Sequence, residues 1–115
     1  MNLRILNLDG NRLGSTFGIK LGQSLSRTGS LLYISMLNNR LDSRAGEVLL
    51  RAYRHNPYLS ELRVTEEEVG SDIYLEMQRV YHKKRAQENH DGRGGAAAVE
   101  SLVDRYRSSL FSNLI

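Results

Sequence analysis

Cysteine is absent from the 115 residues, tryptophan too, and proline occurs once, at Pro57. The missing thiol excludes a disulfide framework, a thiolate-bound metal and a cysteine nucleophile, and it suits a reducing compartment. A cytoplasmic location is therefore expected, with nuclear or cytoskeletal placement also compatible. No apolar run approaches the roughly 20 residues that span a bilayer. Residues 1–30 lack the basic start and continuous apolar stretch of a secretory signal, and no membrane partner is expected. Histidine is scarce, with only His55, His82 and His90. None forms His-x-x-x-His or a paired Glu-x-x-His, so no metal or other cofactor is expected. "GRGG" (92–95) has glycines without the strand–loop–helix lysine signature of a phosphate loop. Glu66, Glu67 and Glu68 are sequence neighbours whose side chains diverge, which rules them out as a carboxylate pair for acid–base work. The expectation is a protein that is not an enzyme and takes no small-molecule substrate.

The net charge of +3 conceals blocks of opposite sign. Residues 1–56 carry eight Lys/Arg against three Asp/Glu, whereas residues 57–76 set Arg63 against Glu61, Glu66, Glu67, Glu68, Asp72 and Glu76. The basic run "RVYHKKR" (79–85) follows. Nucleic-acid binders present a contiguous basic face, so a protein partner of mixed charge fits better than a nucleic acid. "HKKR" (82–85) reads as a solvated helix end interacting with the helix dipole rather than as a phosphate-binding cluster.

What the chain has in abundance is periodicity. "LRILNLDGNRL" (3–13), "LLYISMLNNRL" (31–41) and "LSELRVTEEEV" (59–69) align without gaps. Their apolar residues are Leu3, Leu6, Leu8 and Leu13, then Leu31, Ile34, Met36 and Leu41, then Leu59, Leu62, Val64 and Val69. Alternation within "LNL", "ISM" and "LRV" predicts short strands with one face buried. The second halves change to a helical period. Phe17, Leu21 and Leu25 form one stripe, and Ala45, Val48, Leu49, Ala52 and Tyr53 another, ended by Asn56-Pro57. Ile73, Met77, Val80 and Tyr81 form the third. Ser15, Ser43 and Ser71 recur at one offset and are predicted N-caps.

The pattern resembles the leucine-rich repeat, L-x-x-L-x-L-x-x-N-x-L, and most closely its ribonuclease-inhibitor-like subclass. The resemblance covers about residues 3–88 and departs from that subclass in lacking cysteine near the asparagine. It implies an α/β fold: a short solenoid of three strand–helix repeats, parallel strands on a concave face and helices on a convex one. Asn11 and Asn39 occupy the turn after the strand, where an amide both donates and accepts and can tie adjacent loops together. Glu67 holds the same place in the third copy. An ionised carboxylate only accepts, so Glu67 is read as the mark of the last copy, with Glu61, Glu66 and Glu68 as an acidic rim. Thr65 and Glu68 also fit a capping box, but the register assigns this stretch to a strand and turn.

The domain reading is a solenoid over 1–88, a flexible linker over 89–95, and an amphipathic helix over 96–115 bearing Val99, Leu102, Val103, Tyr106, Leu110 and Leu114. That helix either covers one end of the solenoid or docks on another protein. The first strand is expected at an open edge, covered by the C-terminal helix, by a second copy, by a larger assembly or by residues beyond these 115.

The concave strands are expected to expose three ladders, Ile5–Tyr33–Glu61, Asn7–Ser35–Arg63 and Asp9–Leu37–Thr65. Ile5, Tyr33 and Leu37 would form an apolar cluster within a partner-binding face, so Tyr33→Ala would weaken binding and leave the fold intact. Arginine-bearing loops such as "GNRLG" resemble those of GTPase-activating proteins of similar architecture, yet Arg12 and Arg40 recur at one repeat position, which favours a structural role. The functional expectation is a scaffold or adaptor that binds protein through the concave face and the C-terminal helix. The alternative is a structural subunit of a cytoskeletal, ciliary or ribonucleoprotein assembly, and a weaker one is a GTPase regulator.

Overall fold

The structure, a computed structural model, describes residues 3–27 and 29–90. The chain divides into two compact units, Met1–His82 and Lys83–Ile115. The first holds three strands, β1 (Ile5–Asn7), β2 (Tyr33–Ser35) and β3 (Glu61–Arg63). They alternate with helices α1 (Gly14–Leu25), α2 (Ser43–His55) and the one-turn α3 (Glu66–Val69). A fourth helix, α4 (Ser71–His90), begins in the first unit, and its stretch from 83 to 90 is the described part of the second. Asn89 and His90, expected in the linker, close α4. The remainder of the linker and the helix expected over 96–115 lie outside the described residues.

The three strands form one parallel sheet in the order β1-β2-β3. Ile5 stands opposite Tyr33 and Tyr33 opposite Glu61, so the pairing register is the 28-residue sequence period. Parallel neighbours need a crossover, and α1 and α2 supply it. The second and third apolar sets, Leu31, Ile34, Met36, Leu41 and Leu59, Leu62, Val64, Val69, lie wholly within the core with Leu49, Tyr53 and Met77. Each aliphatic side chain so buried contributes about 1.5–3 kcal/mol. The first set differs. Leu6, Leu8 and Leu13 are half-buried and Leu3 is 47% exposed. β1 and β3 are both sheet edges, but the apolar set of β3 shares its core with Ile73 and Met77 of α4, and the set of β1 has no such helix beyond it among the described residues.

Helix boundaries follow a different rule from the expected serine caps. The N-cap of α2 is Asp42, whose carboxylate accepts from Ala45 N at 2.9 Å, and Ser43 is already helical. Leu13 precedes α1 without a side-chain cap, and Ser71 is the first residue of α4. The cap falls one residue before the serine in α2 and two before it in α1. Of Asp42 and Leu13, only Asp42 carries a side-chain oxygen that can reach the free N–H groups of the first turn. At the other end, α2 stops at His55 as the Asn-Pro pair predicts. Asn56 is buried there. Its Oδ1 accepts from Tyr58 N and Leu59 N at 2.9 and 3.2 Å, while its Nδ2 donates to Leu25 O at 2.7 Å, tying this turn to the end of α1.

Glycine sets how closely the helices approach. A Cβ on Gly18 would lie 2.8 Å from Leu41 Cδ2 and 3.1 Å from Ala45 Cβ. One period later, a Cβ on Gly46 would lie 2.8 Å from Val69 Cβ and 3.2 Å from Ile73 Cγ2. Each helix therefore admits the next unit through a missing side chain at the same position. The third place in this row is Tyr74, half-buried, whose side chain closes the position. Gly46→Ala gains about 1 kcal/mol of helix propensity, but overpacking against the branched Val69 Cβ costs about 1–3 kcal/mol. Net destabilisation is expected for Gly46→Ala, and a smaller effect for Gly18→Ala, where the closest atom is the mobile tip of Leu41. Urea unfolding of the two variants measures this, and equal or reversed costs would refute the packing assignment.

Candidate interaction surface

Tyr33, Ser35 and Glu61 fall in the cross-strand register expected of the ladders, but they do not form an exposed platform. Tyr33 and Ser35 are 0% exposed and Glu61 is 7% exposed, while Ile5, Asn7 and Arg63 are half-buried. β2 is the inner strand of a parallel sheet, and both of its faces are shielded, as parallel sheets require. Removing the Tyr33 side chain therefore acts on the fold and not on a free surface.

The third ladder is engaged in the fold as well. Asp9 Oδ1 accepts from Ser35 Oγ and from Leu37 N, both at 2.7 Å. Asn7 Oδ1 accepts from Asp9 N at 2.9 Å, and Thr65 Oγ1 accepts from Asn38 N at 2.9 Å. These polar groups hold one turn against the next.

The turns after the strands carry the most ordered polar geometry. Arg12 and Arg40, at equivalent positions, both adopt the left-handed conformation, with φ 53° and 60°. That conformation costs an L-residue roughly 1–2 kcal/mol and turns the N–H groups on either side of it toward a common point, forming an anion-accepting concavity. Around Arg12, Asn39 Oδ1 fills the concavity, accepting from Asn11 N at 3.0 Å and Leu13 N at 3.4 Å. Asn39 Nδ2 meanwhile donates to Leu8 O at 2.8 Å. Around Arg40 the occupant is the Glu68 carboxylate, which accepts from Asn39 N at 3.1 Å and Leu41 N at 2.8 Å.

Two sequence expectations are corrected here. The residue that continues the asparagine ladder is Glu68, not Glu67, which is exposed. It acts backward on the preceding turn, so its inability to donate says nothing about a following unit. Residues 66–69 are a short helix after all, with Thr65 as N-cap. Thr65 Oγ1 and the Glu68 carboxylate reach across to the turn before them instead of closing a capping box on each other. The helical turn is what advances the acceptor by one residue. The left-handed backbone at Arg12 and Arg40 gives both residues a structural task.

Among the described residues there is no group of three histidine, cysteine or acidic side chains that could hold a metal ion. Glu66 and Glu67 are exposed, and His55 and His82 stand apart on different helices. An open depression of about 360 Å³ near the starts of α2 and α4 is lined by Ser43, Glu47, Val69, Gly70, Ser71, Asp72 and Ile73. "HKKR" is not at a helix end, since α4 runs on to His90. No described helix is long and apolar enough to cross a membrane.

What remains open is the β1/α1 end. The contact that α1 makes with α2 has its mirror position on the other side of α1. Leu13, Phe17 and Leu21 are the counterparts of Leu41, Ala45 and Leu49, but they are half-buried where those three are buried. Lys20, the counterpart of Val48, is exposed beside them. Asn11, the counterpart of Asn39, turns its amide onto its own turn, donating to Leu8 O at 2.7 Å. Sequence reading anticipated the open strand edge but missed Phe17 and Lys20 as its surface. The Gly18–Gly46–Tyr74 row was the signal that could have oriented it. The chain matches no family model and no curated protein.

Two measurements follow. Glu68→Ala removes the acceptor from two backbone N–H groups and is expected to cost about 1–3 kcal/mol. Glu68→Gln keeps Oε1 and costs less, and Glu67→Ala changes stability by at most about 0.5 kcal/mol. Chemical denaturation ranks the three, and a Glu67 effect exceeding that of Glu68 would reverse the assignment. The Asp42 carboxyl is held below its ordinary value by the Ala45 N–H and then by the Ser15 hydroxyl. A lowered folded-state value means that its contribution is complete above the usual carboxylate range, about 3.9, and is lost as pH falls through the lowered value. The stability gap between wild type and Asp42→Ala is therefore expected at neutral pH and should close in acid. A gap that persists at low pH counts against the cap.

Proposed function

We propose that the chain is a protein-interaction module, a short leucine-rich-repeat solenoid that docks a partner through its β1/α1 end and not through its strand face. The 28-residue register, shared by strands, turns and the glycine row, supports the repeat reading. The observation that carries the docking surface is the partial exposure of Leu13, Phe17 and Leu21 where their counterparts one period on are buried. A partner that fits supplies an extended segment beside β1 and a helix face with a small residue opposite Phe17. That is the role Gly18 plays toward Leu41 and Ala45. Tyr74 stands where such a small residue is needed, which disfavours head-to-tail stacking of a second copy. The module is not an enzyme, and its lack of cysteine suits a cytoplasmic setting. The left-handed role of Arg12 and Arg40 counts against reading either as a GTPase-directed finger.

The absence of native cysteine makes the test direct. A photo-crosslinker is attached to a single cysteine at Lys20 or, as control, at Leu75, which is exposed on α4. In cell extract the Lys20 position should give a saturable crosslink to one protein, and Phe17→Glu should weaken that association at least tenfold, about 1.4 kcal/mol. Equal labelling from Leu75, or a Phe17→Glu chain that binds as well as wild type while remaining folded, removes this surface from consideration.

A further inference from the structure

A second surface is built by the same 28-residue recurrence on the helices. Arg51 on α2 has Arg79 on α4 as its counterpart, and Arg54 has His82, while Arg27 after α1 has His55. All six are exposed. Arg79 keeps 74% and Arg54 47% of its side chain in solvent. Neighbouring packed helices lie about 8–10 Å apart, so the recurrence sets cations in a row across the helix layer. Acidic groups gather toward the opposite ends of these helices, where Asp42, Glu47, Glu66, Glu67 and Asp72 sit in or near first turns.

Compensation of helix dipoles accounts for Arg54 and His55, which occupy the last turn of α2. It does not account for Arg79 and His82. That effect fades within one turn of a helix end, and α4 continues to His90. Glu76 is the acidic residue within the row, ion-paired with Arg54 at 2.8 Å and with Arg79. Exposed pairs of this kind are worth about 0–1 kcal/mol, so an incoming carboxylate can replace Glu76 at little cost. Arg51 and Arg27 have no ion pair among the described residues.

We propose that the row Arg27, Arg51, Arg54, His55, Arg79 and His82 is a docking surface for an acidic polypeptide segment. Spaced cations interrupted by Glu76 match side-chain carboxylates presented at intervals. A continuous phosphate backbone would meet Glu76 as a repulsive charge within the row. The row shares no residue with the β1/α1 surface and does not depend on that reading.

The test uses the full chain and a fluorescein-labelled oligoglutamate peptide, read by anisotropy at low and raised salt. Binding is expected at low salt and should fall as salt shortens the screening length, about 10 Å at 0.1 M. Arg51→Glu with Arg79→Glu should weaken it at least tenfold. Arg4→Glu with Arg44→Glu, an equal change in net charge elsewhere on exposed residues, should leave binding within twofold of what wild type shows. Thermal unfolding of both double variants confirms that they remain folded. No binding at low salt overturns the proposal, as does equal loss in the two double variants. Displacement of the peptide by oligothymidylate of equal charge at lower concentration also overturns it, reassigning the surface to nucleic acid. Phe17→Glu separates the two surfaces, since it should leave oligoglutamate binding unchanged.

Discussion

The interaction on which the rest depends is the capture of two converging backbone N–H groups by the next unit's side chain. A left-handed residue in each of the first two turns sets up this arrangement, at Arg12 and at Arg40. Left unfilled, these part-buried donors would lack a protein acceptor, and the strain of the turn would have no compensation. Asn39 fills the first and Glu68 the second. Because the acceptor always comes from the following unit, each turn is completed only by its successor. Local conformation is thereby linked to stacking, and the link runs in one direction along the chain.

The second constraint is steric and repeats with the same period. Gly18 and Gly46 let the following helix approach to contact distance. That approach allows the apolar residues of the strands to reach the same core as those of the helices. Turn bonds fix the register, and the glycines fix the distance. Asn56 adds a third tie on the far side of the sheet, between the end of α1 and the turn before β3. Both ends of the middle unit are anchored in this way, and all three residues of the inner strand are buried. Our two proposals accordingly place interaction at the β1 edge and on the charged outer face of the helices. The leucine-rich-repeat reading remains our proposal, supported by register and packing.

Much of this was legible in the chain. The apolar residues at 31, 34, 36 and 41, and at 59, 62, 64 and 69, all lie in the core, because a fixed period of apolar positions leaves few ways to bury them together. Strand positions and the end of α2 were legible for the same reason. The exchange of Glu67 for Glu68 was not, because it depends on whether the turn is left-handed or helical, a difference of about one rotation of the backbone with no apolar signature. Asp42 displaced Ser43 as the cap of α2 because two candidate cap residues were adjacent, and only the path of the chain decides between them. Exposure of Tyr33, Ser35 and Glu61 was misjudged because alternation reports which face of a strand meets the helices. It does not report whether the other face meets solvent.

The sequence by itself determined the period, the parallel register and the apolar set of the core, since each is a property of spacing that survives without coordinates. Tertiary structure alone decided which acceptor each turn receives, how close the helices pass, and which surfaces remain open. Those outcomes depend on distances of a few tenths of an ångström between residues about 28 positions apart. Gly46 and Val69 show the difference: nothing local to either residue records that a single added carbon between them has no room.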